Sequence, residues 1–214
     1  MTTRHYSWGD YICLNVDQAV RALFSNPRTT DRPYPAAKEP EPLLTIKQRQ
    51  HSAALMRINH AGEVCAQALY HGQIIAARSP AVKAKLQQAA LEEGDHLAWC
   101  SQRLFELGSH TSYLNPLWYS GSWGLGFVAG LAGDQWSLGF LAETEDQVVQ
   151  HLTEQLKFLP PQDHRSYAIL QTMQFDEAKH NNEVIKLGAK NIPTFIKKLM
   201  WLISKTMIKT AYWF

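Results

Sequence analysis

The sequence predicts an all-α protein: a four-helix bundle with a long crossover between its second and third helices and an amphipathic helix at the C-terminus. Three observations predict it. No stretch of the 214 residues alternates apolar and polar side chains as a half-buried strand does. Four long segments keep an apolar rhythm of about 3.6 residues and end on helix stop signals. Finally, Glu-x-x-His occurs twice, at Glu93-His96 and Glu177-His180, and this spacing places both side chains on one side of a helix.

The elements follow in chain order. Within "NVDQAVRALF" the apolar Val16, Ala19, Val20, Leu23 and Phe24 recur at helical spacing behind Asn15, a good N-cap, which predicts a short docking helix. Residues 26–42 carry five prolines and read as an extended linker whose role is reach. Residues 1–42 are thus an N-terminal extension, and residues 43–191 the bundle. Its first helix runs from Leu43 to Arg78, where Ser79-Pro80 supplies an N-cap and a first-turn proline for the second. The second runs to Leu107 and stops at Gly108. The third spans Leu138 to Leu159, ended by Pro160-Pro161, and the fourth Asp163 to Leu187, ended by Gly188.

Residues 111–133 between the second and third helices hold no charged side chain. Their Gly and Ser content and the Asn115-Pro116 break argue for a crossover that packs inside or dips into an interface, and against a membrane span. In the tail, residues 192–214, Lys197, Lys198, Lys205 and Lys209 fall within an arc of about 120° on a helical wheel. Phe195, Ile196, Leu199, Met200, Leu202, Ile203, Met207 and Phe214 fill the other side. That is the pattern of a helix lying in a bilayer surface, with Trp201, Tyr212 and Trp213 suited to the headgroup zone; a last helix packed on the bundle with solvated lysines is the alternative.

Composition narrows the function classes. A net charge of +2 does not argue for a nucleic-acid partner. Three cysteines without C-x-x-C spacing suggest neither a disulfide framework nor a zinc-thiolate site, and the N-terminus lacks the apolar core of a signal peptide. A reducing, cytoplasmic setting is the expectation.

With nine histidines in the chain, one Glu-x-x-His pair means little, since about half a match arises by chance. Order raises the signal. Glu63 lies on the first bundle helix, Glu93 and His96 on the second, Glu145 on the third, Glu177 and His180 on the fourth. Each of these residues shares a helix face with apolar neighbours: Met56 and Tyr70, Leu86 and Leu97, Leu141 and Leu152, Met173 and Val184. Four carboxylates in one apolar core would have to protonate unless cations neutralise them, and two divalent ions balance four Glu beside neutral His. This is the ligand order of the ferritin-like di-iron carboxylate bundles, and carboxylate with imidazole suits iron or manganese. His60, three residues before Glu63, and His151, six after Glu145, are candidates for holding a ligand by a hydrogen bond, with a purely structural role equally open.

The segments "RINHAGEVCAQALYHGQ", "EEGDH", "ETEDQVVQH" and "DEAKH" resemble the demethoxyubiquinone hydroxylase family over residues 43–214. The resemblance implies a ferritin-like fold, two iron ions held by Glu63, Glu93, His96, Glu145, Glu177 and His180, and O₂ as co-substrate. Glu93 and Glu145 bridge in many such sites, though sequence leaves the bridging pair open. It implies hydroxylation of the ring of a polyprenylated demethoxyubiquinol, peripheral binding to the cytoplasmic face of the inner membrane, and other ubiquinone-biosynthesis enzymes as partners. Cys65 stands where relatives often have Gly. Leu152 stands where some have Tyr, so a role of that Tyr in electron delivery does not carry over. A ferritin-like ferroxidase or iron-storage protein uses the same ligand set without needing the tail. A membrane-associated scaffold or lipid carrier would need the tail without the ligands.

Overall fold

The structure, a computed structural model, describes residues 7–24 and 27–214. Residues 1–6 and the first residue of the predicted linker lie outside the described residues. Among these there are seven α-helices and no strand: α1 (Trp8–Leu23), α2 (Ile46–Ala76), α3 (Pro80–Glu106), α4 (Asn115–Leu131), α5 (Asp134–Leu156), α6 (His164–Lys186) and α7 (Thr194–Trp213). The bundle consists of two hairpins, α2 with α3 and α5 with α6.

The helix starts show what sequence signals miss. The first helix begins two turns before Asn15, because Ser7 and Asp10 form a reciprocal capping box. Thr45 and Gln48 do the same for α2. Ser79 precedes α3 as expected but makes no side-chain cap bond. Asp134, the first residue of α5, instead accepts the N–H groups of Arg78 and Ser79, at 3.0 and 2.8 Å. Stops are better behaved: Gly108 and Gly188 take positive φ directly after α3 and α6.

Two segments hold more structure than the sequence signals show. The charge-free crossover contains a helix, α4, and Asn115-Pro116 begins it, since a first-turn proline costs no hydrogen bond. The glycines there serve close packing on α2. A Cβ on Gly126 would sit 2.2 Å from the Leu69 carbonyl oxygen, and one on Gly72 of α2 would sit 2.2 Å from that of Trp123. No described helix is long and apolar enough to cross a membrane.

The proline-rich segment is a strap bound to the bundle, not a free spacer. Thr30 hydrogen-bonds Asp95 of α3, Arg32 pairs with Asp176 of α6, and Ala36 is fully buried in the core. Farther along, Tyr34 donates to Glu106 and Arg165 to the Glu39 carbonyl, beside the buried Arg103–Asp163 pair. Repeated Pro keeps this stretch extended, so it loses little entropy on docking.

The tail helix is docked by one stripe. Met207, Ile208, Ala211 and Tyr212 pack on the bundle, and Arg57 of α2 donates to the carbonyls of Tyr212 and His110. Phe195, Leu199 and Leu202 remain exposed on it.

Apolar clusters fill both ends of the bundle, one around Met56, Leu104, Leu152 and Met173, the other around Tyr70, Leu86, Leu141 and Val184. Midway along the four helices, between those clusters, lie the predicted ligands.

Candidate metal centre

The structure brings all six predicted residues together, and each is at least 96% buried. Glu63 comes from α2, Glu93 and His96 from α3, Glu145 from α5, and Glu177 and His180 from α6. They fall into two groups, Glu63, Glu93, His96 and Glu177, then Glu93, Glu145, Glu177 and His180. In each group one atom per residue lies within 4.8 Å of all the others. The carboxylates common to both groups are Glu93 and Glu177, in place of the pair Glu93 and Glu145. Each shared Glu comes from a Glu-x-x-His helix, which puts it on the line between the two imidazoles.

Both imidazoles turn Nδ1 inward. His96 Nδ1 lies 3.0 Å from Glu93 and 3.2 Å from Glu177, and His180 Nδ1 lies 3.1 Å from Glu93. Both turn Nε2 outward onto a carboxylate: Asp176 accepts from His96 at 3.0 Å and Glu92 from His180 at 2.6 Å. The two outer acids are reciprocal, because the residue preceding each Glu-x-x-His grips the histidine of the other helix. Such outer hydrogen bonds set which nitrogen is free and hold the ring in place. Sequence reasoning missed both residues, although the signal was present: "EEGDH" and "DEAKH" each carry an acid directly before the Glu. It also missed Tyr70, whose hydroxyl donates to Glu145 at 2.6 Å.

The remaining candidates sit differently. His60 is fully buried with Nδ1 facing the Asn115 amide of α4 at 3.4 Å. His151 lies half-buried, within the field of Lys205 on α7.

Electrostatics state the problem that this cluster poses. Burial, then the neighbouring Glu93 and Glu177, push Glu63 well above the usual carboxylate range, and burial followed by Glu177 does the same to Glu145. Burial acts on Glu93 in the same direction, but His96 and His180 outweigh it and hold Glu93 low. The histidines respond in kind: burial opposes their charge, yet Glu177 and Glu93 raise His180 to about 12 and Glu93 and Asp176 raise His96. Four carboxylates crowded into one buried cluster thus favour bound positive charge, which two divalent cations would supply.

The donor set fits such ions. Glu63 Oε2 is buried without a hydrogen-bond partner, a condition that costs about 1–3 kcal/mol, and Glu93 Oε1, Glu177 Oε2 and His180 Nδ1 meet only one another, at 3.1 and 3.6 Å. All four face the cluster. Oxygen and imidazole donors without thiolate suit iron or manganese better than a structural zinc.

Comparison with known proteins identifies the family. The family model for "Ubiquinone biosynthesis protein COQ7" matches residues 50–211. The chain is 50% identical to a 3-demethoxyubiquinol 3-hydroxylase of Nitrosococcus oceani over 213 residues, the full length of both. It is 52% identical to that of Nitrosomonas eutropha over 204 residues, 95% of this chain and 98% of the relative, and 50% identical to that of Acinetobacter baumannii over 210 residues, 98% and 99%.

Proposed function

The chain belongs to the COQ7 family of ubiquinone biosynthesis proteins and is a hydroxylase; from that premise we propose that it hydroxylates the ring of a polyprenylated demethoxyubiquinol at a membrane surface, with two iron ions and O₂. The observation that carries the reading is the pair of ligand groups joined through Glu93 and Glu177. Bound there, two iron ions would supply reductive activation of O₂, one oxygen atom entering the ring and the other leaving as water with two electrons and two protons.

The protein's own residues do the rest. Asp176 and Glu92 hold the imidazoles with Nδ1 inward. Tyr70 donates its hydroxyl hydrogen bond to Glu145 Oε1 and fixes that carboxylate's direction. The apolar clusters at both ends keep bulk water from the reacting ring and strengthen every charge interaction at the site. A lipid-tailed substrate arrives from a bilayer, and the exposed Phe195, Leu199 and Leu202 beside basic Lys198 and Lys205 suit peripheral attachment to it, at the cytoplasmic face of the inner membrane. Other enzymes of ubiquinone biosynthesis are natural neighbours there. A soluble ferroxidase has no use for that face.

The test is direct. Protein loaded anaerobically with ferrous iron, reduced and given O₂ with a short-chain demethoxyquinol should produce a quinol heavier by one oxygen atom. Glu145→Ala should slow this at least about 100-fold, as loss of a ligand does. A parental rate in that variant would overturn the ligand assignment.

A further inference from the structure

The two halves of the centre hold the same set of donors, three carboxylates and one imidazole each; behind the histidines they differ. Asp176, which accepts from His96, is itself ion-paired to Arg32 at 2.7 Å. Glu92, which accepts from His180, takes a neutral amide donor from Gln88 at 2.8 Å, and both Lys179 and Arg32 act on it only through space, without an ion-pair contact. One outer carboxylate is therefore held by a guanidinium and the other by none.

Arg32 does not come from the bundle. It belongs to the strap, outside the residues matched by the family model. The first Glu-x-x-His motif is shaped to receive that strap. Its two middle residues are Gly94 and Asp95, and a Cβ on Gly94 would lie 1.9 Å from the Arg28 carbonyl oxygen, so only glycine lets the strap pass. Asp95 takes the Thr30 N–H at 3.0 Å and the Thr30 hydroxyl. Asp31 then turns the chain at φ 59°, and the Arg32 guanidinium settles 5.0 Å above the Trp99 ring, which lies 5.3 Å from His96. In the second motif the corresponding middle residues are Ala178 and an exposed Lys179.

We propose that Arg32 is a positioning residue for one half of the metal centre: docked by the strap, it aims Asp176 at His96, so that the metal position served by His96 depends on the N-terminal strap and the position served by His180 does not. The inference rests on the reading of the cluster as a two-metal centre. Asp176 stands at the edge of the site with its side chain 10% exposed, and without Arg32 its carboxylate is free to turn to water. His96 then loses its outer hydrogen bond and its ring orientation, while the Glu92–His180 bond is left as it was. Loss of an outer partner costs about 10–100-fold in metal affinity, and a residue one link farther out belongs at the lower end of that range.

The experiment is an anaerobic titration of the full chain with cobalt(II), followed by its visible absorption and by chelator competition to obtain two stepwise affinities. Arg32→Ala should weaken one equivalent about tenfold and leave the other unchanged, and Arg32→Lys should recover most of the loss. Asp176→Ala should weaken the same equivalent at least as much, and Glu92→Ala the other one. Thr30→Val, which loosens the strap without touching the ion pair, should repeat the effect of Arg32→Ala more weakly and covers the case in which that variant folds poorly. Equal weakening of both equivalents, no weakening, or tighter binding in Arg32→Ala would overturn the proposal. A parent chain that takes up no cobalt would instead overturn the metal-centre reading itself.

Discussion

At the scale of single residues, the molecule separates two kinds of buried histidine. His96 and His180 face carboxylates on both ring nitrogens, which raise the pKa of each. No carboxylate raises His60, His71 or His151, and burial lowers each to about 4, with Lys205 adding to the effect on His151 and Arg28 on His71. The second kind has a consequence for stability. Because the folded pKa lies below the unfolded value, the unfolded chain takes up protons first as pH falls. The stabilisation is complete above about pH 6.5, declines through the interval below it, and is gone once pH passes about 4. Each histidine contributes up to about 3 kcal/mol to that loss. His71→Gln, which keeps a hydrogen-bonding side chain beside the Tyr119 hydroxyl, should flatten the decline between those limits in urea melts. An unchanged slope would mean that His71 opens to water before it titrates. The sequence separates the two kinds by one local signal: a Glu stands three residues before His96 and His180, while Arg57, Ala68 and Val148 hold that place before His60, His71 and His151.

At the scale of elements, the ligand-bearing helices were legible and the elements between them were not. The periodic faces around Glu63, Glu93, Glu145 and Glu177 came out buried because a long amphipathic segment has one way to hide its apolar stripe. The helix within the crossover was not legible because glycine lowers helix propensity in isolation, whereas here it allows backbone contact with α2 that no larger residue could make. This is testable with two neighbours on α4. Gly126→Val must displace the Leu69 backbone and should cost about 3 kcal/mol, a drop in Tm of roughly 5–10 °C. Gly124→Ala, where a Cβ meets nothing within 4 Å, should leave the Tm unchanged or raise it slightly. A similar penalty at both positions would show that helix propensity, not packing, governs α4. The strap was misread for a related reason: prolines announce an extended chain, but whether it is tethered depends on Asp95, Asp176 and Gly94, residues 60 or more positions away.

At the scale of the whole molecule, the question is which surface meets the bilayer. The tail helix spends one stripe on the bundle and leaves Phe195, Leu199 and Leu202 outside, so docking leaves those side chains available for the membrane attachment proposed above. Leu199→Glu combined with Leu202→Glu should reduce binding to vesicles containing anionic lipid at least about tenfold while leaving the fold and the metal content intact. Undiminished vesicle binding would place the attachment surface elsewhere. The order of the four bundle helices, their inward faces and the identity of the six clustered residues were all determined by the sequence alone, because helical periodicity and i, i+3 spacing are local properties that survive without tertiary context. Which two carboxylates are shared, which acids stand behind the histidines, and how the strap reaches His96 were decided only by the tertiary structure. Those facts depend on which helices end up side by side, and distances across a bundle leave no trace in the spacing along any one of its helices.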